Sequence, residues 1–230
     1  MHQEHTAMKV CTDACLFGAW AVTDSSIQTA KHILDIGSGT GLLSLMLAQQ
    51  AAADITAIEI EASAFEQTKT NFDLSPWKER MDVMHTSIQD YAAANKGQLF
   101  DCIITNPPFY EADLTSPDNA KNVASHSTAL SWNDLVTSVN TLLEEHGTWF
   151  VLVPTLRAYT MQKLASNYGL QLSEECLMYN DAKHLPIRAM LKFVKQKEVA
   201  IKRDKIIIKN SDQSYTVEFT SLLKPYYLHI

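Results

Sequence analysis

Between residues 32 and 41 the chain reads His-Ile-Leu-Asp-Ile-Gly-Ser-Gly-Thr-Gly, an apolar run that ends on three alternating glycines. A short apolar run bounded by glycine reads as a buried strand, and strands buried on both faces belong to sheets covered by helices on both sides. Glycines in the turn let the backbone approach a ligand closely. Residues 42–52 follow with helical spacing, Leu43, Met46 and Leu47 falling on one face. The same unit then recurs. Residues 54–60 read as a strand, 62–74 as a helix stopped by Pro76, and 81–85 and 100–105 as strands. Residues 130–143 read as a helix with Ser131 as N-cap and Asp134 three residues on, and 148–153 as a strand between Gly147 and Pro154. Strands alternating with helices at this spacing predict a mostly parallel α/β sheet. Beyond residue 170 the pattern changes. Residues 189–194 and 205–209 read as late antiparallel strands, and 214–228 as a short terminal helix docked through its aromatics.

At 230 residues the chain suits one domain, expected to be 1–230 with a leading segment 1–30, a core 31–155 and a β-rich part 156–230. A hydrophobic fraction of 46% with 20% charged residues excludes a disordered chain. No apolar run approaches the ~18 residues that span a bilayer, and the N-terminus lacks the pattern of a signal peptide. Cys11, Cys15, Cys102 and Cys176 do not follow a zinc-ligand spacing. Reduced thiols in a cytoplasmic protein are expected, with no metal and no membrane partner. A monomer is expected.

The net charge of −7 argues against a nucleic-acid partner, but its distribution does not. Residues 183–209 carry nine basic side chains against two acidic ones, a local +7 that leaves −14 on the rest of the chain. A polyanion-binding face and a lysine-protected edge strand both fit that asymmetry.

The glycines at 37, 39 and 41 form G-x-G-x-G, not the G-x-G-x-x-G of dinucleotide folds. Asp35 precedes them. A carboxylate there repels a pyrophosphate and suits a cation, which favours S-adenosylmethionine over a nicotinamide cofactor. Glu59 ends the next strand, 18 residues after Gly41, where a carboxylate can accept bonds from both hydroxyls of a ribose.

Residues 106–109 read Asn-Pro-Pro-Phe at the end of a strand. Neither proline can donate to a ladder, so the backbone leaves the sheet rigidly where α/β folds bind ligands. The Asn106 side-chain oxygen and the Pro107 carbonyl can accept both hydrogens of a planar –NH2 group. They then favour the charge that develops as its nitrogen attacks a methyl group. Phe109 offers a face for stacking. The bland alternative for such a segment is a turn that merely ends a strand.

The glycine turn, Glu59 and residues 106–109 resemble the class I S-adenosylmethionine-dependent methyltransferases that modify exocyclic or amide nitrogens. Within them the chain resembles the bacterial tRNA1(Val) adenine-37 N6-methyltransferases, through residues 8–20, 37–41, 106–109, 215–219 and 226–228. The resemblance implies a Rossmann-like seven-stranded sheet, mostly parallel with one antiparallel strand and helices on both faces, and methyl transfer to N6 of an adenosine beside a tRNA anticodon. It implies that Lys9, Thr12 and Asp13 close over the methionine end of the cofactor. Asp35, Gly37, Gly39 and Gly41 would hold the amino acid, and Glu59 the ribose. Asn106, Pro107, Pro108 and Phe109 would position the amine, with Tyr110 and His126 nearby. Arg188, Lys202, Arg203 and Lys205 would face the RNA. Two departures stand out. Relatives carry an aspartate after the third strand where this chain has Ser87 and Ile88, so the adenine would rest on the backbone, Ser87 or Asp90. Relatives carry Ala-Arg-His where this chain has Ala124, Ser125 and His126. Guanine N2 and a protein glutamine amide present a similar amine to Asn-Pro-Pro. A non-catalytic cofactor- or RNA-binding protein is the reading from another class.

Overall fold

Four of the five residues of β1 (His32–Ile36) are buried, as an apolar run in the middle of a covered sheet requires. The computed structural model describes residues 2–3, 10–107 and 130–227. Before β1 come α1 (Thr12–Val22) and α2 (Ser25–Thr29). After it the chain alternates: α3 (Leu42–Gln50), β2 (Asp54–Glu59), α4 (Ala62–Asp73), β3 (Met81–His85), α5 (Ile88–Ala94) and β4 (Phe100–Thr105). Then follow α6 (Trp132–Leu142), β5 (Leu143–Pro154), α7 (Ala158–Asn167), β6 (Gln171–Asp181), β7 (Arg188–Val194), β8 (Lys202–Lys209) and α8 (Val217–Leu223).

The strands form one sheet in the order β3-β2-β1-β4-β5-β7-β6-β8. β7 lies antiparallel to both β5 and β6, and every other pairing is parallel. The single reversed strand agrees with the sequence expectation, but the sheet has eight strands rather than seven. One reading is corrected: residues 205–209 do not form an antiparallel strand. β8 runs opposite to β7 along the chain, yet it passes over β6 and pairs with its outer edge in parallel. Its run of three isoleucines between lysines identified a strand without naming its neighbour. Ile206 and Ile208 are buried, in the same core as Phe219 and Leu223 of α8.

Side chains alternate across the sheet into two cores. One lies under α1, α3, α4 and α8 and takes Phe150 and Leu152 of β5. The other lies under α5, α6 and α7 and takes Trp149, Val151 and Val153. Trp149 stacks on Phe193 of β7, with ring centroids 5.1 Å apart, so the core continues past the reversed strand. The terminal helix docks as its aromatics suggested. Thr216 caps it by accepting from Phe219 N, and Tyr215 stacks on the buried Phe219 at 4.9 Å. Among the described residues no helix is long and apolar enough to cross a membrane, and no cluster of three or more His, Cys, Asp or Glu side chains could hold a metal ion.

Candidate active site

Register places the two informative segments side by side. Ile36 of β1 pairs with Thr105 of β4, so the residues that follow, Gly37 and Asn106, leave adjacent strands at the same level. This is the carboxyl edge of the sheet, where open α/β folds bind ligands. Gly37 and Gly39 have φ of 76° and 59°, and a Cβ built on either would meet nothing within 4 Å. The turn is therefore left-handed and open, and its backbone is accessible to a ligand. Gly41 differs, although its φ is 77°. A Cβ there would lie 2.8 Å from Phe72 Cε1, so Gly41 brings the start of α3 against α4 rather than against a ligand.

The turn is held from several sides. Gly37 and Ser38 amides donate to Ile58 O at 2.8 and 3.1 Å. Thr68 Oγ1 donates to Gly39 O at 3.0 Å, and Asn71 Nδ2 to Thr40 O at 2.8 Å. Glu59 Oε2 accepts from Gly39 N at 2.8 Å, while its Oε1 accepts from the amides of Ile60 and Glu61 at 2.9 Å. A carboxylate oxygen has two lone-pair directions. Oε2 accepts one bond among the described residues and can take another donor.

Asp35 is completely buried. Its Oδ2 accepts from the Ser44 hydroxyl at 2.7 Å and the Ser44 amide at 3.2 Å, which ties β1 to the first turn of α3. Its Oδ1 has no hydrogen-bond partner among the described residues. Burial pushes the carboxyl up to about 6, against the pull of Ser44 and with a further push from Glu59. A buried anionic acceptor with one oxygen unmatched suits a cationic donor.

Asn106 Oδ1 is likewise buried and without a partner among the described residues. Buried side-chain oxygens are ordinarily bonded, so this one is open to a donor beyond the described residues. Pro107 beside it is buried, and a small recess of about 20 Å³ lies between it and Leu130, Ser131, Trp132 and Leu135. A cavity of about 780 Å³ lies elsewhere, on the flank of α1, α3 and α4, with Val10, Leu45, Met46, Trp77 and Tyr226 in its walls. That groove is mostly apolar and holds none of the carboxylate or amide groups at the strand ends.

The other expected residues are scattered more widely. Thr12 opens α1 and is exposed. Asp13 lies 3.1 Å from Arg188 Nε in an ion pair that joins α1 to β7. Ser87 is occupied as the N-cap of α5, accepting from Asp90 N at 3.0 Å and donating to Asp90 Oδ2 at 2.7 Å, and Ile88 is buried. Lys202 pairs with Glu174 at 2.7 Å and Arg203 with Glu175 at 3.2 Å, while Lys205 is exposed. β8 stands four strand spacings from β4, about 19 Å. Lys9, Pro108, Phe109, Tyr110 and His126 lie outside the described residues. One residue had been missed: Ile60 follows Glu59 directly and remains 55% exposed. A large apolar residue after an acidic strand end was the available signal, and its exposed side chain beside Glu59 suits a flat ring.

A mostly parallel sheet with one reversed strand, covered on both faces and carrying an open glycine turn at its centre, is the fold of the class I methyltransferases. Solved structures share the fold. A predicted O-methyltransferase from Agrobacterium tumefaciens matches with a TM-score of 0.71 at 14% identity, over 94% of this chain and 98% of that one. A 16S rRNA N2 G1207 methyltransferase from T. thermophilus matches with a TM-score of 0.58 at 19% identity, over 83% of this chain and 44% of that one. The family model "Methyltransferase small domain" matches residues 21–167. Curated relatives named tRNA1(Val) (adenine(37)-N6)-methyltransferase are 36% identical in Dyadobacter fermentans, over 99% of this chain and 94% of the relative. They are 38% identical in Cytophaga hutchinsonii, over 100% and 95%. The chain belongs to the tRNA1(Val) (adenine(37)-N6)-methyltransferase family.

Proposed function

We propose that this protein transfers a methyl group from S-adenosylmethionine to the exocyclic N6 of an adenosine in tRNA, at position 37 of tRNA1(Val), the reaction its relatives are named for. Asn106 carries the reading: its Oδ1 is a buried acceptor without a partner among the described residues, one residue past the β1–β4 pairing and beside the open glycine turn. The residues present suit the methyl donor. The space over Gly37 and Gly39 admits its amino-acid end, Asp35 Oδ1 offers a buried anionic acceptor for the ammonium, and Glu59 Oε2 can take a ribose hydroxyl. When bound, the donor supplies an electrophilic methyl on a cationic sulfur.

The protein's own groups have a defined task. The lone pair of an adenine N6 is delocalised into the ring, so the amine is a weak nucleophile. Asn106 Oδ1 and the Pro107 carbonyl accept its two N–H bonds and hold the nitrogen in one orientation. Both bonds strengthen as positive charge grows on nitrogen, which lowers the barrier rather than tightening the ground state. No strong base is required, because the alkylated amine is acidic and loses its proton readily. A tRNA substrate places the reaction in the cytoplasm.

Asn106→Ala should leave cofactor affinity in calorimetry intact and lower kcat by about 10²–10³-fold on a tRNA1(Val) transcript. A transcript with guanosine at position 37 should remain unmodified. Full turnover by the variant, or methyl recovered on guanine, would overturn the assignment.

A further inference from the structure

The crevice continues into a surface that the reaction chemistry leaves unused. β5 extends three residues past the Thr105–Val151 pair, and Pro154 at its end pairs with Arg188 of β7. The chain after β5 and the connection between β6 and β7 therefore rise together beyond the carboxyl edge. Thr155 Oγ1 donates to Pro186 O at 3.0 Å and fastens one to the other. By strand spacing this wall begins within about 10–15 Å of Asn106.

Its composition is unusual for this chain. Leu156 is 95% exposed, Tyr159 76% and Leu185 86%, and Ile187 is also exposed. Residues 155–159 and 182–188 contain Arg157, Lys183, His184 and Arg188 and no Asp or Glu, in a protein of net charge −7. His184 is held by Asp181, and Arg188 faces Asp13. Arg157 and Lys183 are in no ion pair among the described residues. Exposed apolar and aromatic side chains interleaved with cations form the kind of surface that takes unstacked bases and their phosphates. Position adds to composition. A base presented to Asn106 must leave its stack, so the nucleotides beside it need support next to the crevice.

We propose that the stretch after β5 and the β6–β7 connection form a platform for the single-stranded loop of the RNA substrate. Leu156, Tyr159 and Leu185 carry the flanking bases, and Arg157 and Lys183 contact phosphates. The proposal rests on the RNA reading of the same site. It moves the RNA face from the β8 edge, where Lys202 and Arg203 are engaged with Glu174 and Glu175, to the rim of the crevice.

The test compares four double variants in the full chain: Arg157→Glu with Lys183→Glu, Tyr159→Ala with Leu185→Ala, Lys202→Glu with Lys205→Glu on the β8 edge, and Lys78→Glu with Lys96→Glu as a charge-matched control far from the rim. Filter binding uses a tRNA1(Val) transcript and its isolated anticodon stem-loop at two salt concentrations. The first pair should weaken both RNAs at least tenfold, with a shallower salt dependence. It should raise KM for tRNA with kcat within about twofold. The second pair should weaken the stem-loop about tenfold with the salt slope unchanged. Cofactor affinity equal to the parent protein's shows that each variant is folded. RNA affinity of both rim pairs equal to the control's overturns the platform, as does a larger loss from Lys202→Glu with Lys205→Glu. Stem-loop binding that depends on the rim in a protein that methylates no tRNA would sink the reaction and leave the platform standing.

Discussion

Asp35 holds the fold and, in the proposed reading, also serves the ligand. Its Oδ2 caps the start of α3 through Ser44, and its Oδ1 is left for a donor. The cost is an ionisable group in a dry place. Burial pushes its carboxyl from 3.8 up to about 6. A carboxyl that binds its proton more tightly when folded stabilises the protein below its unfolded value. That advantage is lost as pH rises through about 6, a cost near neutrality of about 3 kcal/mol. A bound ammonium needs the ionised form. Cofactor affinity should therefore hold level from pH 7 down to about 6 and then weaken, approaching tenfold per pH unit. Asp35→Asn should bind more weakly throughout, with the slope flattened. Calorimetry between pH 5 and 7 checks both. Asp35, Glu59 and Asn106 stood out in the sequence because each lies at or beside the end of an apolar strand. The three backbone amides that Glu59 gathers from two segments did not, since they meet only through the β1–β2 pairing.

At the scale of elements, glycines that look equivalent in the sequence do different work. Gly41→Ala places a methyl 2.8 Å from Phe72 Cε1 at a φ of +77°, so it carries both backbone strain and overlap with α4. It should destabilise the protein by about 2–4 kcal/mol. Gly37→Ala has the strain without the overlap and should cost about 1–2 kcal/mol. Its added methyl stands in the open cradle, so its main effect should be on cofactor affinity. Urea midpoints paired with calorimetry separate the two, and equal midpoints would remove the distinction. The cap at Ser131 was legible from Ser and Asp three residues apart. The same local logic binds Ser87 to Asp90, so the Ser87 hydroxyl already has a partner within the first turn of α5.

At the scale of the molecule, the sheet joins the glycine-turn half to the later β-rich half without a break. β5 pairs with β4 on one side and β7 on the other, and both cores cross that seam. The expectation of a single domain becomes a measurable one. Tryptophan fluorescence reports Trp20, Trp77, Trp132 and Trp149 in the first part, whereas circular dichroism reports every strand. The two denaturant transitions should coincide. Separated midpoints would divide the chain near residue 155. The net charge of −7 also conceals an uneven surface: four of the nine basic side chains at 183–209 lie in ion pairs, Lys192 with Asp24 among them.

The sequence by itself determined the alternation of strand and helix, the glycine turn, the strand-end carboxylates and the Asn-Pro pair. All of these follow from local periodicity, backbone stereochemistry and the chemistry of neighbouring residues. Only the tertiary structure decided that β8 crosses to the far edge of β6, that Gly41 serves packing while Gly37 and Gly39 stay open, and which cations are already paired. The physical reason is common to all three. Strand neighbours, close approaches and ion pairs join residues far apart in the chain, and periodicity records which face a side chain takes without recording what it meets there.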